Sequence, residues 1–221
     1  MITGTLYCCH SGQCGSKTTF TPNGEISGPK QTIKAVKQHL KKSSCVDITT
    51  EEVLLPWDFE PGINEEWKDW IQQYALSEDE IDAAGFGCGG GRLIMPIFDD
   101  QGRLVYYQGR GVEPKYLNVR QKRKLIYGFK QPANYTGTAV VLVEDIVSMI
   151  KVARTKACYA LLGSVVHDAL IPMLSSWPIV EVWLDYDKKD YSKTIARRIK
   201  SLTGNDCYSI ITKLDPKDHI K

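Results

Sequence analysis

The feature that most restricts the fold is an alternation of segment types from Thr138 onward. AVVLVE is a continuous apolar, β-branched run ending at Glu144. DIVSMIKVART then reads as a helix, ACYALLG as a strand, VHDALIPMLSSW as a helix and IVEVWLDYD as a strand. YSKTIARRIKSLTG follows as a helix closed by Gly204, and CYSIITKL as a last strand. Strands that are apolar along their whole length and alternate with helices belong to a parallel sheet covered on both faces. The expected fold class is therefore α/β.

In such sheets ligands sit at the carboxyl ends of strands. Glu144 ends the first strand; Asp185 and Asp187 end the third, with Tyr186 between them turned to the opposite side by strand alternation. Three carboxylates converging there would repel one another or take up protons unless a cation sat among them, and an all-oxygen set suits Mg2+ or Mn2+. A plainer reading makes Asp185 and Asp187 caps of the following helix. The pattern alone leaves both open.

Charge is distributed unevenly. The chain carries 28 Lys/Arg against 26 Asp/Glu, yet the stretch from Arg92 to Lys130 holds nine basic residues against three acidic ones, leaving 19 against 23 elsewhere. A basic centre beside an acidic remainder suits a protein that grips phosphates with one part and cations with another, and equally suits a solvated basic face. Within this stretch RLIMPIF, the turn DDQG and RLVYYQGR read as a β-hairpin. Of Tyr106 and Tyr107, which alternate on the second strand, one is expected inside and the other is free to stack on a base.

Upstream, NEEWKDWIQQY places Trp67, Trp70, Ile71 and Tyr74 on one helical face with Asn64 as N-cap, and Trp67 and Trp70 are read as core packing. Ser77 and Glu80 form a capping box for a second short helix ending near Gly85. Gln31 to Lys42 has a short amphipathic pattern, and Thr21 to Lys30 reads as linker. Hydrophobic residues make up 43% of the 221 and charged ones 24%, enough apolar material for a core, with no secretory signal pattern and no run long enough to span a membrane. Seven cysteines without pairing rhythm indicate reduced thiols and a cytoplasmic setting. His167 and His219 have no ligand partners at useful spacing.

The motifs, taken in order, resemble a known family. AVVLVE with Glu144, followed by VWLDYD with Asp185 and Asp187, is similar to the Toprim domain shared by bacterial-type primases, topoisomerases and some nucleases. GRLIMPIFDDQGRLVYYQGR, then PKYLN, then KRKLIYGF resemble the basic subdomain that precedes Toprim in bacterial and phage primases, and LDPKDHIK resembles a DPxD-type closing motif. The similarity runs from about Asn64 to Lys221. It implies a Toprim-type parallel sheet flanked by helices, preceded by a small α+β basic subdomain. The divisions expected are a zinc-ribbon remnant over 1–20, a linker with a short helix over 21–62, the helical and basic subdomain over 63–135 and Toprim over 136–221.

The activity implied by the resemblance is that of a DNA primase, making short RNA primers on single-stranded DNA from ribonucleoside triphosphates by metal-dependent nucleotidyl transfer. Glu144, Asp185 and Asp187 take the catalytic and Mg2+ or Mn2+ binding roles. Arg110, Lys115, Tyr116, Asn118, Arg92 and Lys124 are the expected nucleotide and template contacts. No Walker-type phosphate loop occurs, so the helicase that the resemblance implies as a partner would act in trans. Two alternatives stand beside this reading: a non-catalytic primase-derived protein that binds DNA or a replisome, and a Toprim nuclease.

The chain departs from the family pattern at Asp145 and Ser148, where Gly and Asp are usual, and at Lys188, Lys189 and Asp190 after the acidic pair. These departures point to a divergent bacteriophage protein, which would act in the cytoplasm of an infected bacterial host. LYCCHSGQCGSKTTF resembles the second knuckle of a primase zinc ribbon, making Cys9 and Cys14 candidate zinc ligands. A closed zinc site takes four ligands from two knuckles. Either the first knuckle lies upstream, or the segment is a relic, or Cys8, Cys9, His10 and Cys14 share one ion; the first two are favoured because adjacent residues rarely reach one tetrahedral ion together.

Overall fold

The computed structural model of the protein describes residues 52–99, 101–120 and 127–220 with their side chains, and residues 7–8, 17–20 and 26–27 by backbone pairing alone. The chain divides into two compact units, Met1–Thr49 and Thr50–Lys221. In the first, β1 (Tyr7–Cys8) pairs antiparallel with β2 (Lys17–Phe20), which pairs antiparallel with β3 (Ile26–Ser27). The helix expected over 31–42, the candidate zinc ligands Cys9 and Cys14, and Lys124 lie outside the described residues.

The second unit holds two five-stranded sheets. One is antiparallel in the order β4 (Glu60–Pro61), β5 (Gly87–Gly89), β6 (Arg92–Phe98), β7 (Leu104–Arg110) and β8 (Tyr116–Arg120). Its central hairpin is the one expected. The Asp99 carboxylate accepts from the amides of Gln101 (3.0 Å) and Arg103 (2.9 Å), and Gly102 supplies the positive φ of +73° that closes the turn. Between β4 and β5 run α1 (Glu65–Gln72) and α2 (Glu78–Ala83), capped as their sequence predicts. Asn64 accepts from the Trp67 amide at 3.3 Å, and the Ser77–Glu80 capping box is complete.

The other sheet has the order β13 (Asp206–Ser209), β12 (Ile179–Val182), β10 (Ala139–Val143), β11 (Ala157–Ala160) and β9 (Gly128–Lys130). The first four strands are mutually parallel, as expected; β9 joins the edge antiparallel. The continuous apolar run of β10 has a direct cause. Val141 and Val143 enter a core shared with α1 and the antiparallel sheet, whereas Val140 and Leu142 enter a second core with Leu170, Leu174, Ile195 and Ile199. Each of these fully buried side chains contributes about 1.5–3 kcal/mol.

The remaining helices are α3 (Ile146–Val152), α4 (Ile171–Leu174), α5 (Lys189–Thr203) and α6 (Pro216–His219), with 3-10 turns at Asp168–Leu170 and Tyr186–Lys188. Two expectations are revised. The long helix read in VHDALIPMLSSW shrinks to a 3-10 turn followed by α4, because Pro172 fits only the first turn of a helix. The strand read through Asp187 stops at Val182. A further revision concerns Tyr106 and Tyr107, both of which are buried, at 3% and 7% exposure. Tyr106 faces the large shared core, and Tyr107 is covered from the other side by Val53, Leu55 and Phe59. Among the described residues no helix is long and apolar enough to cross a membrane.

Candidate active site

Glu144 follows β10 directly, and Asp185 lies three residues beyond β12. These strands are parallel neighbours, with Leu142 paired to Val182 and the Trp183 amide donating to the Leu142 carbonyl at 2.9 Å. Both carboxylates therefore stand on one carboxyl edge of the sheet. Asp187 does not stand with them in the way strand alternation requires. After Asp185 the chain enters the 3-10 turn Tyr186–Lys188, fixed by the Lys188 amide donating to the Asp185 carbonyl (2.9 Å) and the Tyr186 amide donating to Asp215 Oδ1 (3.0 Å). Asp187 is thus carried to an exposed position on that turn.

Two lysines enter the acidic edge. Lys188 Nζ donates to Glu144 Oε1. Lys217, from α6, lies 2.9 Å from Asp145 Oδ2, 3.4 Å from Asp185 Oδ2 and 3.7 Å from Asp215 Oδ2. Asp145 also caps α3, accepting from the Ser148 amide at 2.8 Å and from the buried Ser148 hydroxyl at 3.0 Å. Burial pushes the Asp185 carboxyl up to about 6, opposed by the Lys217 ammonium and reinforced by Asp145, Asp215 and Glu144. Burial works against the Lys217 charge, but the surrounding carboxylates, led by Asp145, outweigh it and hold the ammonium above its ordinary value.

Glu144 Oε2 and Asp185 Oδ1 are buried and have no hydrogen-bond partner. Unsatisfied carboxylate oxygens are costly. Two of them at neighbouring strand ends suit a small divalent ion, which commonly takes one or two carboxylates and completes its shell with water and phosphate. Among the described residues, no group of three or more His, Cys, Asp or Glu is arranged to hold a metal ion. The residues therefore fit one ion held by Glu144 and Asp185, and do not form a closed protein cage.

The antiparallel sheet contributes a basic and aromatic face. Arg110 pairs across strands with Tyr116 and Gln108 with Asn118, which puts all four side chains on one side of β7 and β8. The Arg110 guanidinium lies 4.8 Å from the Tyr116 ring centroid and 5.1 Å from that of Trp70, and Lys115 Nζ lies 5.7 Å from the Tyr116 centroid. Trp70 meets Tyr74 edge-on at 5.1 Å. Burial raises the Tyr74 hydroxyl pKa, opposed by Lys217 and reinforced by Asp218, Tyr116 and Asp145. Asn118 Oδ1 accepts from the Tyr106 hydroxyl (2.7 Å) and Gln108 Nε2 (3.1 Å), leaving its amide nitrogen as the outward donor.

Arg92 is used differently. Its guanidinium donates to the carbonyls of Pro114 (2.8 Å) and Glu113 (3.1 Å), clamping the turn that presents Lys115 and Tyr116. LDPKDHIK stands out in the sequence as a motif without showing what Asp215 or Lys217 within it does, and neither Lys151 nor the stacking role of Trp70 is marked by any pattern. Lys217 meets Asp145 across 72 residues of chain, a contact that no local pattern announces.

No protein-family model matches the chain. The DNA primase of Staphylococcus aureus (strain COL) is 32% identical over an alignment of 111 residues that covers 45% of this chain and 18% of the relative, so the chain spans about a fifth of that relative's length. Among solved structures, the Aquifex aeolicus primase (zinc binding and RNA polymerase domains) superimposes with a TM-score of 0.55 at 15% identity, covering 71% of this chain and 52% of that one. The primase fragment of the bacteriophage T7 primase-helicase protein gives 0.54 at 11% identity over 96% of this chain and 93% of that one. The expected α/β fold, a parallel sheet flanked by helices, is therefore present; in sequence this chain is similar over part of its length to DNA primases, and in fold over most of it to solved primase domains.

Proposed function

We propose that this chain is a primase core that joins ribonucleotides on a single-stranded DNA template. The observation that carries the reading is the buried carboxylate edge with two unsatisfied oxygens, in the same compact unit as a guanidinium held against two aromatic rings. That pairing supplies what phosphoryl transfer demands, an anionic seat for divalent cations and a cationic seat for phosphates. Glu144 and Asp185 would hold Mg2+ or Mn2+, which when bound neutralises phosphate charge and polarises the reacting oxygens. Asp187, exposed on the following turn, stays a proposed member of the set.

In this reading Arg110 and Lys115 grip triphosphate or template phosphate, Tyr116 offers a face to a base, and the outward Asn118 amide donates to a base edge or sugar. Arg92 holds their turn in place, and Lys124 remains a proposed nucleotide or template contact. Single-stranded DNA and ribonucleoside triphosphates are the proposed ligands, and a replicative helicase is the proposed partner in trans. Zinc at Cys9 and Cys14 belongs to the same proposal, supported by the zinc-binding domain in the Aquifex aeolicus neighbour's name.

Labelled ribonucleotides, single-stranded DNA and Mg2+ or Mn2+ should give short oligoribonucleotides, abolished in Asp185→Asn. Absence of product on every template with either metal contradicts the reading. A non-catalytic DNA- or replisome-binding role is favoured by one feature, the lysine ammonium groups seated in the acidic edge. It would appear as DNA binding that Asp185→Asn leaves unchanged, with no product.

A further inference from the structure

We propose that Lys217 is a tethered cation that competes with the divalent ion: its ammonium must leave Asp185 before that carboxylate takes up a metal. The inference rests on the reading that Glu144 and Asp185 hold the ion. Lys217 reaches Asp145, Asp185 and Asp215 at 2.9, 3.4 and 3.7 Å, with only 18% of its side chain exposed. One ammonium thus satisfies part of three carboxylates that come from three separate segments.

The backbone beneath it is anchored at two points. Lys151, itself buried, donates to the Lys217 carbonyl at 2.6 Å, and Asp215 accepts from the Tyr186 amide at 3.0 Å. Ile220, just beyond, packs on the shared core. Only the flexible side chain is therefore free to move, and a lysine stem has the rotatable bonds to do so.

Lys217 occupies Oδ2 of Asp185, while Oδ1 is one of the two unsatisfied oxygens. A divalent ion on Oδ1 with the ammonium still on Oδ2 would place like charges on one carboxylate in a partly buried setting, where repulsion is several times stronger than in water. Lys188 stands in the same relation to Glu144, whose Oε2 is the other unsatisfied atom. Each lysine thus covers one oxygen of a carboxylate whose other oxygen is left for the ion, at the expense of metal affinity.

The test is Mn2+ binding to the full chain, followed by electron paramagnetic resonance of the free ion, in wild type, Lys217→Met and Asp185→Asn. Lys217→Met is expected to bind at least about tenfold more tightly than wild type, and Asp185→Asn to lose the site. Equal or weaker binding by Lys217→Met, with the site still lost in Asp185→Asn, overturns the tethered-cation inference and leaves the carboxylate pair standing. Binding in Asp185→Asn equal to wild type removes the carboxylate reading and this inference with it. A wild-type measurement covers the case in which Lys217→Met does not fold. Amine labelling of Lys217, read by mass spectrometry, should rise several-fold on adding Mn2+ while Lys151 stays constant, and labelling of Lys217 that does not change overturns the inference.

Discussion

Arg110 shows how one side chain is prepared for a ligand. Sandwiched between Trp70 and Tyr116, its guanidinium keeps a fixed plane while its N–H groups remain available. Lysine in that position keeps the charge and loses both the stacking and the fork. Arg110→Lys is therefore expected to weaken single-stranded DNA binding by about fivefold or more, measured by anisotropy of a labelled oligonucleotide, without a large change in melting temperature. Affinity equal to wild type would remove Arg110 from the binding face. The basic character of this strand is legible in QGR and PKY. The sandwich is not, because Trp70 carries the helical period of a core residue and reads as packing alone.

Between elements, the junction of α2 with the segment after α3 is held by one ion pair. Arg154 donates to both Glu80 oxygens at 2.7 Å and to the Ala75 carbonyl at 2.7 Å. The Arg154 hydrogen bonds hold the Glu80 carboxyl at about 2, below its ordinary 4.5. A depressed carboxylate contributes stability that is full above its unfolded value and fades as pH falls toward the folded one. Glu80→Gln should thus lower stability at neutral pH by on the order of 1–2 kcal/mol after allowance for solvent. In denaturant titrations the difference from wild type should shrink as pH falls from about 4.5 to about 2. A difference independent of pH would mean that the carboxylate charge is not what binds the two elements. The Ser77–Glu80 capping box was legible from spacing; the second use of Glu80 was not, since Arg154 lies 74 residues away.

Helix ends follow the same division between local and distant causes. Gly204 closes α5 at a φ of +74°, as the sequence around it predicts. Gly204→Ala is expected to cost about 1 kcal/mol in thermal or chemical unfolding, and an unchanged midpoint would contradict a left-handed cap. VWLDYD alternates like a strand, yet β12 ends at Val182. The chain leaves the strand path at the 3-10 turn Tyr186–Lys188, where Asp215, 29 residues further on, accepts from the Tyr186 amide.

Across the whole second unit, β10 is the common wall. Its alternate residues feed two cores, one shared with the antiparallel sheet and one with α5. Leu142→Ala should destabilise the unit by about 2–5 kcal/mol in chemical denaturation, and a loss under about 1 kcal/mol would argue against its central place. The parallel order and the carboxyl-edge location of Glu144 and Asp185 were legible from periodicity and strand ends. The antiparallel edge strand β9 was not, because its three residues carry no period of their own.

At this scale the account comes down to where cations and phosphates meet. Crystals grown with Mn2+ and a non-hydrolysable ribonucleoside triphosphate give the most direct test, through the anomalous signal of manganese. The account predicts a manganese peak against the Glu144 and Asp185 carboxylates, with triphosphate oxygens reaching toward Arg110 or Lys115. Manganese bound elsewhere, with Lys217 still paired to Asp185 and the triphosphate away from Arg110, would contradict it.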